Sequence, residues 1–237
     1  MTDGAEITQC GMTTQAVTLL VMAKAPVAGF VKTRLTPPLT PREAARVAAA
    51  ALLDTLESVL RCNVIHRVVA LTGELADAES RHELARALGE FDVMPQRGTG
   101  FGARLANAHA DAARLGLPVL QIGMDTPQIG PAVLTTAARR LAAGAEALLG
   151  PAEDGGWWAL GLPEPQAARV LAEVPMSTDR TGLLTREALR QCGNRVRLLP
   201  VFGDVDTIED ALRVAAHCRG RFAEVMAELR DRRLVRQ

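Results

Sequence analysis

A chain of 237 residues is long enough for one large α/β domain or two small ones, with a substantial buried core. With 48% hydrophobic residues, 23% charged residues and a formal net charge of zero, its composition argues against a disordered chain. It argues equally against a dedicated nucleic-acid binder, which carries a basic excess. No apolar run approaches the roughly 20 residues needed to span a bilayer, so no membrane span is expected.

The first sixteen residues are polar and acidic and lack the pattern of a signal peptide. The reading is a disordered leader over 1–16, then one domain over 17–237. The domain opens on a strand, Val17–Ala23, whose almost wholly apolar run predicts burial on both faces, as in a parallel sheet. Pro41–Leu60 is alanine-rich with a proline at its start, which predicts a helix. Arg67–Leu71 reads as a strand, Ala76–Leu88 as a helix and Phe91–Met94 as a brief strand. Gly102–Leu115 is helical, ended by Gly116 and Pro118. Val119–Gly123 is an apolar strand, followed by a helix over Pro131–Ala143. Ala145–Leu149 and Trp157–Leu162 are strands around a polar insert. Helices over Gln166–Ala172 and Thr181–Cys192 precede a strand at Val196–Pro200, and helices over Thr207–Cys218 and Arg221–Arg233 close the chain. This alternation predicts a single-domain α/β/α sandwich with a mostly parallel sheet. The basic cluster Arg230, Arg232, Arg233 and Arg236 is read as a solvated helix end.

Four segments carry the chemistry. The first strand empties into a loop holding Lys24, Gly29, Lys32 and Arg34, at the carboxyl end of a strand, where open α/β sheets bind ligands. A cationic loop there points to an anion, most plausibly phosphate; the same residues are also consistent with a surface turn facing water. In Gln121-Ile122-Gly123-Met124-Asp125-Thr126-Pro127, Asp125 lies on the turn after a buried strand. A carboxylate there suits Mg²⁺ or Mn²⁺, although Asp125 alone is better explained by an Asx turn or a helix cap.

The third segment, Pro151-Ala152-Glu153-Asp154-Gly155-Gly156-Trp157-Trp158, sets two carboxylates beside two glycines and the two tryptophans of the chain. The glycines allow close backbone approach to a ligand, and a tryptophan offers a flat pocket wall. In the fourth, Phe202-Gly203-Asp204-Val205-Asp206-Thr207-Ile208-Glu209-Asp210, helix capping accounts for much of the acidity. Extended backbone would still turn Asp204 and Asp206 to one side, where one of them could join Asp125 at a metal. Gly98-Thr99-Gly100-Phe101-Gly102-Ala103 matches a loose dinucleotide-binding pattern but lies outside the first βα unit and lacks the acidic partner. Its loop could still touch substrate through Arg104. His66, His82, His109 and His217 show no ligand spacing and read as structural or surface residues. Cys10, Cys62, Cys192 and Cys218 show no metal or disulfide spacing, so a reducing cytoplasm is the expected setting.

Taken in order, these segments resemble the bacterial family labelled glycosyltransferase or radical-SAM/selenodomain-associated transferase. They are similar also to guanylyltransferases that activate phospholactate or phosphoenolpyruvate and that attach GMP to molybdopterin. The resemblance covers residues 17 to 218. It implies a nucleotide-diphospho-sugar transferase fold of the glycosyltransferase-A type with a divalent metal, Mg²⁺ or Mn²⁺. The substrates it implies are a nucleotide or nucleotide-sugar donor and a small-molecule acceptor, with nucleotidyl and glycosyl transfer both open. By motif, it assigns nucleotide phosphates to Lys24, Gly29, Lys32 and Arg34, with Arg104 added. The metal goes to Asp125 with Asp204 or Asp206, catalysis to Asp125 and Asp154, and the acceptor side to Glu153, Gly155, Gly156 and Trp157. The chain departs from the family at Met124 and Thr126 and at Trp157-Trp158, where tyrosines are common. It also lacks the tryptophan often seen before Ser177. No departure removes a charged group, so the acceptor is where a difference is expected. A non-catalytic nucleotide-binding or partner module on the same fold is the alternative. Donor base, acceptor and oligomeric state are not encoded legibly.

Overall fold

In the structure, a computed structural model that describes residues 13–234, the first strand, β1, runs from Gln15 to Lys24. Val17, Leu19, Leu20 and Val21 are wholly shielded from solvent, as the apolar run predicts. The first twelve residues of the segment read as a leader lie outside the described residues, and its last two already belong to β1.

Thr40 opens α1 (Pro41–Leu60) with a reciprocal capping box to Glu43, and Pro41 occupies the first turn, where a missing N–H costs nothing. Next come β2 (Val64–Thr72), a 3₁₀ turn at Leu75–Asp77, α2 (Arg81–Leu88) and β3 (Asp92–Pro95). The single helix expected over Ala76–Leu88 is therefore broken. Ser80 stands at φ 55°, in the left-handed region, which a continuous α-helix does not tolerate.

The chain continues through α3 (Phe101–Ala112), β4 (Val119–Gly123), α4 (Pro131–Ala143), β5 (Ala147–Pro151) and β6 (Trp157–Leu162). The expected helix at Gln166–Ala172 is instead a 3₁₀ segment, Pro165–Ala172. Then follow α5 (Thr181–Gln191), β7 (Val196–Leu198), α6 (Ile208–Ala215) and α7 (Arg221–Leu234). Arg230 and Arg232, read as part of a solvated helix end, are exposed on α7 and pair with Asp231 and Glu228.

The seven strands lie in the order β3-β2-β1-β4-β6-β5-β7. All run one way except β6, which is antiparallel to both β4 and β5. One face of the sheet is covered by α1, α2 and α4 around Leu19, Val21, Leu52 and Leu134. The other is covered by α3, the 3₁₀ segment and α5 around Leu20, Leu105 and Leu171. Two helices then add a further layer. α6 and α7 pack on the outer side of α1 around Leu35, Val47, Phe222 and Met226. Being covered on both sides explains why α1 is alanine-rich nearly all round: small side chains let two layers approach one helix. Asp54 on that helix caps α7 from a distance, accepting from the N–H groups of Arg221 (3.0 Å) and Phe222 (2.9 Å). His109 is fully buried beside Gln121, and burial pushes its imidazole down to about 4, so it is a neutral packing residue.

Candidate active site at the carboxyl edge of the sheet

The chain leaves β1 toward β2 and β3 on one side and returns to β4 on the other. The switch point of the sheet is therefore between the carboxyl ends of β1 and β4, which is where open α/β sheets form a ligand crevice. The loops after β1, β4, β5 and β7 all emerge at that edge. The last three are joined through main-chain bonds: Val205 N–H donates to Asp125 O (3.1 Å) and Glu153 N–H to Phe202 O (3.1 Å). Gln128 Nε2 adds a bond to Gly203 O.

Lys32 is at the centre of this edge. Its backbone is left-handed (φ 49°), just before a 3₁₀ turn at Thr33–Leu35, and its side chain is only 7% exposed. The ammonium lies 2.9 Å from Asp125 Oδ1 and 3.6 Å from Asp206 Oδ1. Burial by itself would lower its pKa, but the carboxylates of Asp125, Asp206 and Asp204 outweigh that and raise it. Arg34, mostly exposed, reaches Asp206 Oδ2 at 2.8 Å. Lys24 Nζ donates to the carbonyl of Phe30. These residues, with Met124 and the exposed ring of Phe30, line a cleft of about 270 Å³.

Asp154, Asp204 and Asp206 each offer a carboxylate oxygen, all within 4.8 Å of one another. The sequence reading grouped Asp204 and Asp206 with Asp125. In the fold, Asp154 joins Asp204 and Asp206, and Asp125 borders the three across the Lys32 ammonium, 2.9 Å from it. Around Lys32 and Arg34, four carboxylates face two cations, and a divalent ion would balance the remaining two charges. A hard, all-oxygen donor set of this kind fits Mg²⁺ or Mn²⁺.

Asp204 bears the strain of this crowding. Its carboxyl is pushed up to about 6, first by burial and then by Asp154 and Asp206, with Lys32 opposing them. In the metal-free protein the folded form then binds the proton more tightly than the unfolded chain. Stability contributed by this group is accordingly lost as pH rises from about 4 to about 6. Thermal melts in chelator should show Asp204→Asn gaining on the wild type across that interval. After screening at this half-buried position, the gain should be about 1 kcal/mol. An unchanged difference across the interval would contradict the assignment.

The other residues singled out from the sequence have different surroundings. Asp154 Oδ1 accepts from Gly156 N–H (2.8 Å), which fixes the carboxylate on its turn. Gly155 has φ +87°, and a Cβ there would meet Asp179 O at 1.9 Å. Gly182 N–H donates to Gly155 O (2.8 Å), so the start of α5 is docked on the double glycine. Glu153 pairs with Arg213 of α6 at 3.1 Å. Trp157 is half-buried under α5 and donates to Thr185 Oγ1, and Trp158 is buried against Phe202 and donates to Pro200 O. Strand alternation sends the two rings to opposite faces of the sheet. Gly29 (φ +81°) turns the loop toward Lys32 with open space around it. Arg104 lies over the Phe101 ring at 5.6 Å and is not among the residues lining the cleft. Arg213 was missed from sequence, and Met124 was noted there only as a departure from the family pattern. Met124 Sδ accepts from Lys24 N–H (3.1 Å), a contact across 100 positions for which the sequence holds no signal.

Solved structures share this architecture. A Desulfovibrio desulfuricans G20 protein, provisionally assigned as a nucleotide-diphospho-sugar transferase, is 25% identical with a TM-score of 0.78, covering 92% of this chain and 95% of its own. A nucleotidyl transferase from Methanothermobacter thermautotroptrophicus (18% identity, TM-score 0.55) covers 85% of this chain and 97% of its own. Rv0371c from Mycobacterium tuberculosis H37Rv, in complex with manganese (22% identity, TM-score 0.51), covers 85% and 98%. The fold is thus that of the nucleotide-diphospho-sugar transferases. No functionally curated protein matches the chain. Residues 55–178, just over half of its length, match the model described as "Uncharacterized protein conserved in bacteria (DUF2064)", and the chain belongs to that family.

Proposed function

We propose that this protein is a metal-dependent transferase that takes a nucleotide or nucleotide-sugar donor and moves a nucleotidyl or glycosyl group to a small-molecule acceptor. The observation that carries this reading is the charge arrangement at the switch point. Lys32, Arg34 and Lys24 line a cleft together with Asp125 and Asp206, and Asp206 also belongs to the cluster with Asp154 and Asp204. Phosphoryl-type transfer depends on positioning and charge neutralisation more than on covalent chemistry, and these side chains supply both. The architecture shared with a nucleotidyl transferase and with a manganese-bound protein supports the same reading.

In this scheme Lys24, Lys32 and Arg34 bind the donor phosphates on the loop turned by Gly29. Asp125, Asp204 and Asp206, joined by Asp154, hold the ion. A bound Mg²⁺ or Mn²⁺ would supply Lewis-acid neutralisation of the phosphate charge. Glu153, Gly155, Gly156 and Trp157 form the acceptor side. In nucleotidyl transfer an acceptor oxygen forms a bond to the α-phosphorus while the bond to pyrophosphate breaks, and pyrophosphate leaves. In glycosyl transfer the acceptor bonds to the anomeric carbon and the nucleoside diphosphate leaves. The reading places the protein in the cytoplasm, with its cysteines reduced. Among the described residues no helix is long and apolar enough to cross a membrane.

A thermal-shift panel of nucleoside triphosphates and nucleotide sugars, each with and without Mn²⁺, tests the proposal. Metal-dependent stabilisation is expected from one of the two donor classes and should disappear in Asp125→Ala. If no donor stabilises the protein with Mn²⁺ present, the transferase reading is wrong.

A further inference from the structure

Of the 27 lysines and arginines in the chain, only Lys24 and Lys32 are lysines. Both stand at the cleft. Everywhere else the chain uses arginine, including at exposed ion pairs such as Arg97–Asp111 and Arg197–Glu146. The two cations differ in a way that bears on Lys32. Guanidinium is a flat fork suited to one fixed carboxylate, whereas an ammonium is a compact point charge on a flexible stem. A point charge is what fits between two carboxylates, and it can leave them without breaking a bidentate pair.

The position of the Lys32 ammonium is that of a cation in an acidic site. It is almost fully buried and lies between Asp125 and Asp206, with Asp206 also belonging to the cluster that includes Asp154 and Asp204. It also borders the open cleft lined by Lys24 and Arg34. Bringing a divalent ion to Asp125 and Asp206 would set two positive charges and the ammonium within a few ångströms of one another, with little solvent to screen them. The ammonium would then lose its partners. The adjoining cleft is the open space beside it.

We propose that Lys32 is an exchangeable internal cation: in the metal-free protein its ammonium neutralises Asp125 and Asp206, and a divalent ion entering the site displaces it into the cleft, where it becomes available to a donor phosphate. This inference rests on the metal-dependent reading above. It makes Lys32 a donor-binding residue whose partner changes with the state of the site. Metal binding and exposure of the phosphate-binding charge become one event, so the cleft acquires its full positive charge only when the ion is in place. The opposed carboxylates otherwise share that charge.

Because the chain has only two side-chain amines, the displacement can be read directly on the unaltered protein. Limited amine acylation, followed by peptide mass spectrometry, is carried out with and without Mn²⁺ and without any nucleotide. Lys32, protonated and buried, should label slowly at first and several-fold faster with Mn²⁺, whereas Lys24 should change little. Isothermal titration with Mn²⁺ alone gives the second arm. Lys32→Met, which keeps the volume of the stem, should bind Mn²⁺ about ten-fold more tightly than the wild type, because no internal cation competes. If Mn²⁺ binds the wild type but Lys32 labelling is unchanged or slowed, the exchange is refuted while the metal site stands. If Lys32→Met folds and binds Mn²⁺ no more tightly, the same conclusion follows. If neither form binds Mn²⁺, both the exchange and the metal-dependent reading fall.

Discussion

Gly155→Ala is expected to destabilise the protein by about 3 kcal/mol or more and to lower its melting temperature by roughly 6–12 °C. Two costs combine at this position. The backbone stands at φ +87°, a region that a residue with a Cβ enters at a cost of about 1 kcal/mol or more. The added Cβ would also lie 1.9 Å from Asp179 O and 2.4 Å from the carbonyl carbon, atoms of a backbone held at the start of α5. Neither is the end of a side chain that can rotate away, so α5 or the Asp154 turn must move. Gly116 separates the two terms: its φ is +73°, with nothing within 4 Å of an added Cβ. Gly116→Ala should therefore show the conformational cost alone, with a melting point only a few degrees down. Equal losses in the two variants would mean that the contact with Asp179 is not what fixes Gly155. The turn carries Asp154, so Gly155→Ala should also weaken Mn²⁺ binding, whereas Gly116→Ala should not.

Asp206→Asn is expected to lower Mn²⁺ affinity about 100-fold or more while leaving the fold close to intact, measured by titration calorimetry and thermal melting. Asp206 is the residue shared by every part of the site: it meets Arg34 at 2.8 Å and Lys32 at 3.6 Å, and it belongs to the cluster with Asp154 and Asp204. The amide keeps the shape but removes the charge. Arg34 is mostly exposed, so losing that pair costs little stability. Lys32 retains Asp125 at 2.9 Å, so no buried ammonium is left alone. The loss should thus fall on the ion. An Asp206→Asn protein that binds Mn²⁺ as the wild type does would exclude Asp206 as a ligand and move the site toward Asp154 and Asp204.

The legible and the illegible parts of this protein divide along a physical line. The strand Val17–Ala23 could be read because seven almost wholly apolar residues bury both faces of a strand only in a covered, parallel sheet. Pro41 and the alanine run announced α1, because helix starts and small-residue faces are local properties. Ser80 broke the helix expected over Ala76–Leu88, since a left-handed serine carries no compositional signal. The two tryptophans looked alike in sequence, but alternation along β6 buries Trp158 against Phe202 and leaves Trp157 half-buried on the opposite face, which only the neighbours of that strand determine.

At the site, the sequence alone determined which groups are present: a cationic loop after the first strand and acidic turns after later ones. Residue type and strand ends are local facts that survive without coordinates. The tertiary structure decided which of them meet. Asp154 joins Asp204 and Asp206, and Asp125 pairs with Lys32, because β6 runs backward beside β4 and brings the β5–β6 turn against the loop after β7. Those meetings join residues 50 to 93 positions apart. They depend on strand order and on the close approach at Gly155, which no local pattern records.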